Sequence, residues 1–530
     1  MKPNLYRALL ACCFALLLGG SIIQTLCGSS FLTIKSNNDW GNDDAYIGYR
    51  YAENLAHGKG LVFNPGERVE GYSDILYIAM LAPAFWLTDR DGVYFFSVML
   101  NLLFAAFSLG LFAAYTREKL GDWNALAASL LFALCLPLWV ASASGIETCQ
   151  VLLITLAIWV YAERVAAEPT RRPMQILAAL MVLSVLARVD GFLVPGIVVL
   201  YLGLKGRMRQ AVICAMATMG AQGFFEVWRI AYYGAWLPTT YYVKVTGPLG
   251  ERIAHAWGQF SKINLFDGML PYTLILLLAA LAAGGCALAK RRPIAECLRF
   301  EFLFAPLWIL YWFYIGGDHF WDRFLIVLYP LGIYAVLDAR RGVSRQMAVY
   351  GLVLLAALQA GPAWYVDPRF SYISNKYDCW IGVGKFLGAG YPGRTVAVLP
   401  LGKIPFFSGL YAQDMLGLAD PVIAHMPAIP GHFEPGHNKF NPGYSLSRHP
   451  DLIVDEISPN LDMGLGMTRA RYMGAGYHLE YLVDTRRPPR GQPIVPVAGL
   501  HAEAISALVA QGFDYAIAAR DGLALPANLH

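Results

Sequence analysis

The sequence predicts a polytopic α-helical membrane protein that ends in an extracytoplasmic α/β domain. Of its 530 residues, 57% are hydrophobic and 15% charged, and the mean hydropathy is +0.46. Several apolar runs reach about 18 residues or more, the length that crosses a bilayer core. Short Lys and Arg clusters separate these runs. This pattern excludes a soluble cytosolic enzyme, and a scattered net charge of +4 gives no argument for nucleic-acid binding.

The first element is an apolar run that extends to about Ile34 and is preceded by Lys2 and Arg7. This run is too long for the hydrophobic region of a secretion signal. In addition, no convincing small-residue cleavage site is followed by a soluble domain. We therefore predict a retained first span.

The basic loops set the predicted topology. By the positive-inside rule, short loops rich in Lys and Arg face the cytoplasm. They recur after every two apolar runs, at Arg117 and Lys119, Arg164 to Arg172, Lys205 to Arg209, Lys290 to Arg292, and Arg340 to Arg345. This spacing predicts about eleven spans in a transmembrane domain of residues 1–363.

Two segments complete the predicted architecture. Residues 75–87 are interrupted by Pro83 and are predicted as a re-entrant or interfacial helix, because the loop charges require an odd number of crossings there. The last span, near residues 347–363, exits outward, so that residues 364–530 form the extracytoplasmic domain. Within it, residues 395–400 and 452–457 are predicted as buried strands, and residues 502–511 as an amphipathic helix.

Cysteine and histidine patterns give no firm metal or redox site. Six of the nine cysteines lie in apolar runs, where a thiol behaves as a small hydrophobe. His432, Glu434 and His437 form either a turn-rich loop or a metal site, but their spacing is not that of a zinc motif. Nucleotide-binding glycine motifs are absent. No cofactor is required by the sequence, and a divalent cation stays possible.

The first extracytoplasmic loop, about residues 35–73, contains the adjacent carboxylates Asp43 and Asp44. Neighbouring like charges at a membrane edge raise each other's pKa, so such a pair typically holds a proton or a cation. The alternative is structural: either residue is also a suitable N-cap for the helix that follows.

Four further outward loops carry ionisable and aromatic residues on the same predicted side of the membrane. One such loop is explained by solvation alone, or by ion pairs such as Arg188 with Asp190. Five loops that converge indicate a cleft for a charged group, with Arg and Lys for a phosphate and aromatics for a sugar. The residues are Glu147, Arg188, Asp190, Tyr241, Tyr242, Lys244, Asp318, His319, Asp322 and Arg323. A neighbouring aromatic run, residues 311–314, is predicted as an interfacial belt.

At this point the chain resembles the GT-C glycosyltransferases, polytopic enzymes that take a sugar from a polyprenyl phosphate. The resemblance rests on residues 43–47 (DDAYI), 60–64 (GLVFN) and 67–72 (ERVEGY), followed in family order by 145–148 (GIET), 188–191 (RVDG), 237–244 (LPTTYYVK) and 317–318 (GD) with Arg323. In the soluble domain, residues 414–420, 435–440 (PGHNKF) and 448–451 resemble the branch that builds cell-wall arabinan or arabinosylates type IV pilin. The pattern departs from the family at Thr239 and at Ser73-Asp74, positions that bear on the choice of acceptor.

The resemblance implies an inverting transfer of a furanose, arabinofuranose, at the outer face of the bacterial cytoplasmic membrane. It implies that Asp43 is the base and that Asp44 orients the acceptor or a cation, while Lys244, Arg188 and Arg323 neutralise the leaving phosphate. Glu147, Asp190, Tyr241, Tyr242, Asp318, His319, His437 and Lys439 are the expected substrate-binding residues. The expected partners are a polyprenyl-phosphate sugar, membrane lipid, and a pilin or envelope-glycan acceptor.

Three rival functions remain open at this point. The first is a lipid-linked sugar flippase or transporter, which also collects charges within the membrane. Its expected repeated halves are not obvious in the hydropathy pattern. The second is a GT-C transferase that adds another sugar to lipopolysaccharide. The third is a noncatalytic assembly protein, which would not need a carboxylate pair at the membrane edge.

Overall fold

The computed structural model describes residues 1–27, 41–266, 268–289, 293–318, 323–339, 345–360, 379–431, 433–485 and 493–523. The membrane part is entirely helical in these ranges. Its helices are α1 (Pro3–Cys27), α2 (Asp43–Ala56), α3 (Ile75–Leu81), α4 (Val93–Leu120), α5 (Asp122–Ala133), α6 (Leu136–Ala143), α7 (Thr148–Ala167), α8 (Arg171–Ala187), α9 (Leu193–Leu204), α10 (Met208–Tyr233), α11 (Thr239–Lys244), α12 (Leu249–Phe266), α13 (Leu270–Leu288), α14 (Ile294–Cys297), α15 (Phe300–Ile315), α16 (Leu328–Ala339) and α17 (Arg345–Ala360).

The described chain is a multi-pass membrane protein, although the predicted count of eleven spans is not confirmed. Five helices are long and apolar enough to cross a bilayer: α1 over Pro3–Leu26, α4, α7, α10 and α13. α5 and α6 make a sixth if they form one span, bent by 54°. Pro137 lies at the start of α6 and cannot continue a helix from the preceding turn, which accounts for the bend. Several of the remaining predicted spans, α9, α15 and α16 among them, are apolar helices of 10–17 residues.

The segment predicted as re-entrant or interfacial is indeed too short to span. α3 has seven residues and continues as a 3₁₀ turn, Ala82–Trp86, with Pro83 near the start of that turn. Trp86 and Leu87, at its end, are exposed.

The C-terminal domain is α/β, as predicted. It consists of α18 (Trp380–Gly390), β1 (Thr395–Val398), α19 (Lys403–Ser408), β2 (Tyr411–Asp414), α20 (Pro421–His425), α21 (Pro442–Ser447), β3 (Leu452–Glu456), α22 (Arg469–Gly474), β4 (Tyr477–Val483), β5 (Ile494–Pro496), α23 (Ala502–Ala510) and β6 (Tyr515–Arg520). The predicted strands correspond to β1 and β3, and the predicted helix to α23.

One mixed sheet organises this domain, with strand order β2-β1-β3-β6-β4-β5. β1 is parallel to both β2 and β3, whereas β6 is antiparallel to β3 and β4. Val396 and Val398 of β1 face a core that also includes Tyr46 and Tyr49 of α2 and Tyr77 of α3. The C-terminal domain and the first loop therefore share one hydrophobic core.

Candidate active site

A buried arginine joins the first loop to the C-terminal domain. Arg50 of α2 donates to the carbonyls of Phe63 (2.8 Å), Pro405 (2.5 Å) and Leu410 (2.7 Å), and to Asn64 Oδ1 (3.0 Å). Asn64 in turn donates to the Ala412 carbonyl at 2.8 Å. Because a buried guanidinium must have its donors satisfied, these contacts fix the position of the domain over α2.

Asp43 also lies at this junction. Its two carboxylate oxygens accept hydrogen bonds from the backbone N–H groups of Gly402 (2.9 Å) and Lys403 (2.8 Å), where α19 begins. A Cβ atom at Gly402 would lie 1.8 Å from the Asp43 carbonyl oxygen, so the approach requires glycine. Burial raises the pKa of Asp43, against the effect of these two N–H groups. The helix N-cap predicted for this pair is Asn42 instead, whose side chain accepts from the Asp44 N–H at 3.3 Å.

Asp44 points to a different group of residues from Asp43. Its carboxylate is 33% exposed and lies 3.9 Å from the Lys244 ammonium at the end of α11. The two adjacent aspartates therefore have different surroundings. Asp43 binds the C-terminal domain through two backbone N–H groups, whereas Asp44 is accessible to solvent beside the Lys244 ammonium. The predicted assignment of Asp43 as base is not tested by these contacts, but they favour exchanging the two predicted roles.

The ionisable residues of the other predicted loops do converge. Arg188 donates to Asp190 at 2.8 Å and to Glu147. Arg323 holds both oxygens of Asp318, at 2.8 and 3.0 Å, and its third nitrogen lies 4.0 Å from Glu147. Asp74, which precedes α3, lies close enough to Glu147, Arg188 and Arg323 to interact with them electrostatically. We call the following residues the charged cluster: Asp44, Asp74, Glu147, Arg188, Asp190, Lys244, Asp318 and Arg323.

Electrostatics keep two carboxylates of the cluster ionised. Burial alone would raise the pKa of Asp190, but the Arg188 guanidinium outweighs it and lowers that pKa. The pKa of Asp318 is lowered in the same way, because Arg323 and Lys244 outweigh the effect of burial. The ion pairs named as an alternative in the sequence analysis are therefore formed, and both arginines are held in fixed orientations.

A small, partly open pocket begins at this cluster. Glu147, Arg188 and Arg323 line its charged end, and apolar side chains including Val151 and Trp308 line the rest. The lining of this pocket thus changes from charged side chains at the cluster to apolar side chains beyond it.

Four of the predicted substrate-binding residues, Tyr241, Tyr242, His437 and Lys439, lie in or near the C-terminal domain. The Tyr242 ring packs at a tilt of 41° against the His425 ring of α20, with centroids 4.2 Å apart, and the Tyr241 ring lies 5.8 Å from that of Tyr242. Lys439 is buried and donates to the Ala424 carbonyl at 2.7 Å, so it supports α20 and does not join the cluster. The His437 ring lies 3.2 Å from the Pro435 carbonyl.

Three further residues of the sequence predictions, His319, Asp322 and His432, lie outside the described residues. Among the residues that the structure does describe, no group of three His, Cys, Asp or Glu side chains could hold a metal ion. The possible divalent cation therefore has no identified ligand set in these ranges.

The predicted aromatic belt at residues 311–314 is wrong for two of its four members. Tyr311 donates to Asp190 at 2.6 Å, and Trp312 is fully buried, whereas Tyr314 is exposed. α15 packs against the site, so the aromatic residues on its inner face are buried or hydrogen-bonded. A run of four aromatic residues in the sequence does not indicate which of them face the protein and which face outward. Thr239, expected to bear on acceptor choice, is buried and contacts the carbonyls of Glu70 (2.8 Å) and Leu418 (2.5 Å).

Sequence reasoning missed one residue with a clear supporting role. Gln259 of α12 clamps the backbone of Asp318: its Nε2 donates to the Asp318 carbonyl (2.8 Å), and its Oε1 accepts from the Asp318 N–H (3.0 Å). A Cβ atom on Gly317 would lie 2.3 Å from Gln259 Oε1, so this close turn needs glycine. The signal for Gln259 in the sequence is the amphipathic pattern of α12. In the structure the apolar Ile253 and Trp257 lie on its exposed face and Gln259 on its buried face.

Comparison of the sequence with known proteins gives two similarities. A family described as a domain of unknown function, DUF8728, matches residues 371–499. A terminal β-(1→2)-arabinofuranosyltransferase of Mycobacterium tuberculosis is 24% identical over 338 residues, which is 56% of this chain. The match covers 53% of that protein, so the chain spans about half the length of this relative.

Two solved structures share the fold over most of the chain. The structure of ArnT from Cupriavidus metallidurans bound to undecaprenyl phosphate has a TM-score of 0.57 at 11% identity, covering 99% of both chains. The Archaeoglobus fulgidus oligosaccharyltransferase, in a complex with Zn and sulfate, has a TM-score of 0.53 at 12% identity. It covers 90% of this chain and 72% of that one. The chain thus has the fold of the GT-C glycosyltransferases and resembles their arabinofuranosyltransferase branch.

Proposed function

We propose that this protein transfers a furanose, arabinofuranose, from a polyprenyl-phosphate donor to an acceptor hydroxyl at the outer face of the bacterial cytoplasmic membrane. The observation that carries the proposal is the charged cluster, in which residues from separate loops meet at one end of the helical bundle, close to the C-terminal domain. The acceptor is a pilin or an envelope glycan. The C-terminal domain is extracytoplasmic in this proposal, on the same side as the cluster.

Asp44 is the proposed base. A general base must be accessible to the acceptor hydroxyl and able to keep its charge. Asp44 is partly exposed beside Lys244, whereas both oxygens of Asp43 are already engaged by Gly402 and Lys403. Removal of the hydroxyl proton by Asp44 lets the oxygen attack the anomeric carbon as the bond to phosphate breaks. A single displacement of this kind inverts the configuration at that carbon.

Lys244, Arg188 and Arg323 are the proposed phosphate-binding groups. Fixed positive charge near a leaving phosphate stabilises the negative charge that develops on it. Lys244 is 30% exposed and its carboxylate contact is long, so it is free to approach the donor directly. Arg188 and Arg323 are 13% and 11% exposed and are oriented by their carboxylate partners. The apolar side chains of the pocket lie next to them, on the side proposed for the adjoining lipid.

Reconstitution tests the proposal. The purified protein in lipid nanodiscs is given synthetic polyprenyl-phosphate arabinofuranose and a hydroxyl-bearing acceptor, and both the glycosylated acceptor and the released polyprenyl phosphate are quantified. We expect equal amounts of the two products. Use of a hexose donor with no reaction from the arabinofuranose donor would overturn the sugar assignment. Movement of the intact donor across a sealed bilayer without product would favour the transporter instead.

The acceptor is tested in cells. Mass spectrometry of pilins and surface glycans from a deletion strain should show loss of a pentose from one of these two classes. Loss of a lipopolysaccharide sugar with both classes unchanged would contradict the proposed acceptor.

A further inference from the structure

Asp74 belongs to the charged cluster but has no role in the transfer described above. It is the N-cap residue of α3, yet its side chain makes no capping hydrogen bond. In the described part of the chain, its carboxyl group accepts one hydrogen bond, a long one of 3.3 Å from the N–H of Ser73. It also has no ion-pair partner there, unlike every other carboxylate of the cluster. A carboxyl group that caps nothing and pairs with nothing calls for another explanation.

Two observations show what lies near Asp74. The Ser73 carbonyl accepts from the Val189 N–H at 2.9 Å, which places Asp74 beside the turn that carries Arg188. Asp74 Oδ2 lies 4.0 Å from the position that a Cβ atom on Gly48 would occupy. Gly48 is four residues after Asp44 in α2 and therefore lies on the same helix face, about 6 Å along the axis. Asp74 thus lies about one helical turn from Asp44.

The surroundings of Asp74 favour its neutral form, chiefly through burial. Burial is the largest effect and raises its pKa to about 7, and Glu147 adds to this, while Arg188 and Arg323 act in the opposite direction. In the whole cluster the carboxyl groups outnumber the cations. An ionised Asp74 would add a further negative charge close to the place proposed for the donor phosphate.

We propose that Asp74 is a second catalytic residue of the transfer reaction: in its protonated form it donates a hydrogen bond, and then its proton, to an oxygen of the leaving phosphate. This inference rests on the proposed function, because it assigns a step within that reaction. The geometry that supports it is the unpaired carboxyl group between Arg188 and the face of α2 that carries Asp44.

The acceptor O–H proton passes to Asp44, the acceptor oxygen bonds to the anomeric carbon, and the electron pair of the sugar–oxygen bond stays on the phosphate. The phosphodiester thereby becomes a phosphomonoester with one additional negative charge. The second pKa of such a monoester is about 6, close to that of Asp74, so transfer of the Asp74 proton to it is nearly even in free energy. Asp44 then releases its proton to solvent and Asp74 takes up one proton from solvent, which restores both groups for the next transfer.

The pH profile of the rate tests this assignment. In the wild-type protein we expect the rate at saturating donor to fall as pH rises above about 7, because Asp74 then loses its proton. Asp74→Asn keeps a hydrogen-bond donor but has no proton to give, so its rate should be lower by about 10- to 100-fold and this alkaline decrease should disappear. Asp74→Glu should restore the decrease and part of the rate. Asp91→Asn, an exposed carboxylate paired with Lys385, is the matched control and should behave as wild type.

A donor with a thiophosphate leaving group adds a second measurement. Its leaving group is less basic and needs the proton less, so the deficit of Asp74→Asn should shrink with this donor. An unchanged rate and an unchanged alkaline decrease in Asp74→Asn would overturn the inference. So would an equal loss of membrane yield and thermal stability in Asp74→Asn and Asp74→Glu, which would indicate a structural role. If the wild-type protein itself transfers no sugar, the proposed function fails instead, and the two failures are distinguishable.

Discussion

Asp43→Asn and Asp44→Asn, made separately, distinguish the residue that acts as the base from the residue that binds the C-terminal domain. Asp44→Asn keeps the size of the side chain and removes its ability to take a proton. Loss of a general base typically reduces a rate by about 10² to 10⁴, which is about 3 to 5.5 kcal/mol of transition-state stabilisation. Because Asp44 is partly exposed and its ion pair with Lys244 is long, the stability of the folded protein should change little.

Asp43→Asn should give the opposite pattern. The asparagine oxygen can still accept from one of the two N–H groups at Gly402 and Lys403, but its NH₂ group then faces the other. A covered N–H without an acceptor costs about 1 to 3 kcal/mol, and this cost falls on the contact between α2 and α19. We expect a lower unfolding temperature and faster proteolysis near residue 402, with the rate of the folded protein reduced by less than about tenfold.

The assay measures both quantities on the same preparations. Initial rates at saturating donor are divided by the amount of folded protein, determined by size-exclusion chromatography, and thermal unfolding is followed in the same nanodiscs. Near-wild-type turnover in Asp44→Asn, combined with a 10²-fold or greater loss in a stable Asp43→Asn, would refute the exchange of roles and restore Asp43 as the base.

Three further predictions concern residues around the site. Gln259→Ala removes both hydrogen bonds to the Asp318 backbone and should lower kcat at least tenfold, whereas Ser261→Ala on the same helix should not; equal rates in the two variants would show that the clamp is dispensable. Arg50→Lys leaves several buried carbonyls without donors and should lower the free energy of unfolding by about 2 to 4 kcal/mol, measured by thermal unfolding. An unchanged free energy of unfolding would show that water replaces the lost donors. Asp455 is fully buried, and burial raises its pKa well above the usual range. The folded protein therefore binds more protons there than the unfolded chain, and stability falls as pH rises. Asp455→Asn should then raise the unfolding temperature at pH 8 and leave it nearly unchanged at pH 4, and an equal shift at both pH values would contradict this.

The features that sequence reasoning predicted are those with local signals. β1, β3 and α23 follow from short apolar runs bounded by Gly and Pro, or from helical periodicity. The convergence of Glu147, Arg188, Asp190, Asp318 and Arg323 follows from the side of the membrane assigned to each loop, because loops on one side of a compact bundle are close together. The strands and the helix were predicted from the residues of single segments. The convergence was predicted from the charges of the loops and the positive-inside rule.

The features that were missed depend on partners far away in the chain. The contact of Asp43 with Gly402 joins residues that are 359 positions apart, and nothing near Asp43 distinguishes it from Asp44. Gln259 likewise acquires its role from a turn 59 residues later. Asp74 stood out in the sequence only as a departure from the family pattern, and its nearness to Arg188 and to the Asp44 face of α2 is visible only in the fold. Periodicity and charge rules cannot supply such pairings, because they are produced by tertiary packing.

The same packing explains how a cluster rich in carboxylates can serve an anionic donor. Arg188 and Arg323 are oriented by Asp190 and Asp318, so they need little reorganisation when phosphate arrives. The cost of this arrangement is an excess of negative charge, which would repel the donor if every carboxyl group were ionised. A neutral Asp74 reduces that excess. Donor binding should therefore tighten as pH falls through about 7, with proton uptake measurable by calorimetry in buffers of different ionisation enthalpy, and Asp74→Asn should abolish the uptake. Proton uptake that persists in Asp74→Asn would place the titrating group elsewhere in the cluster.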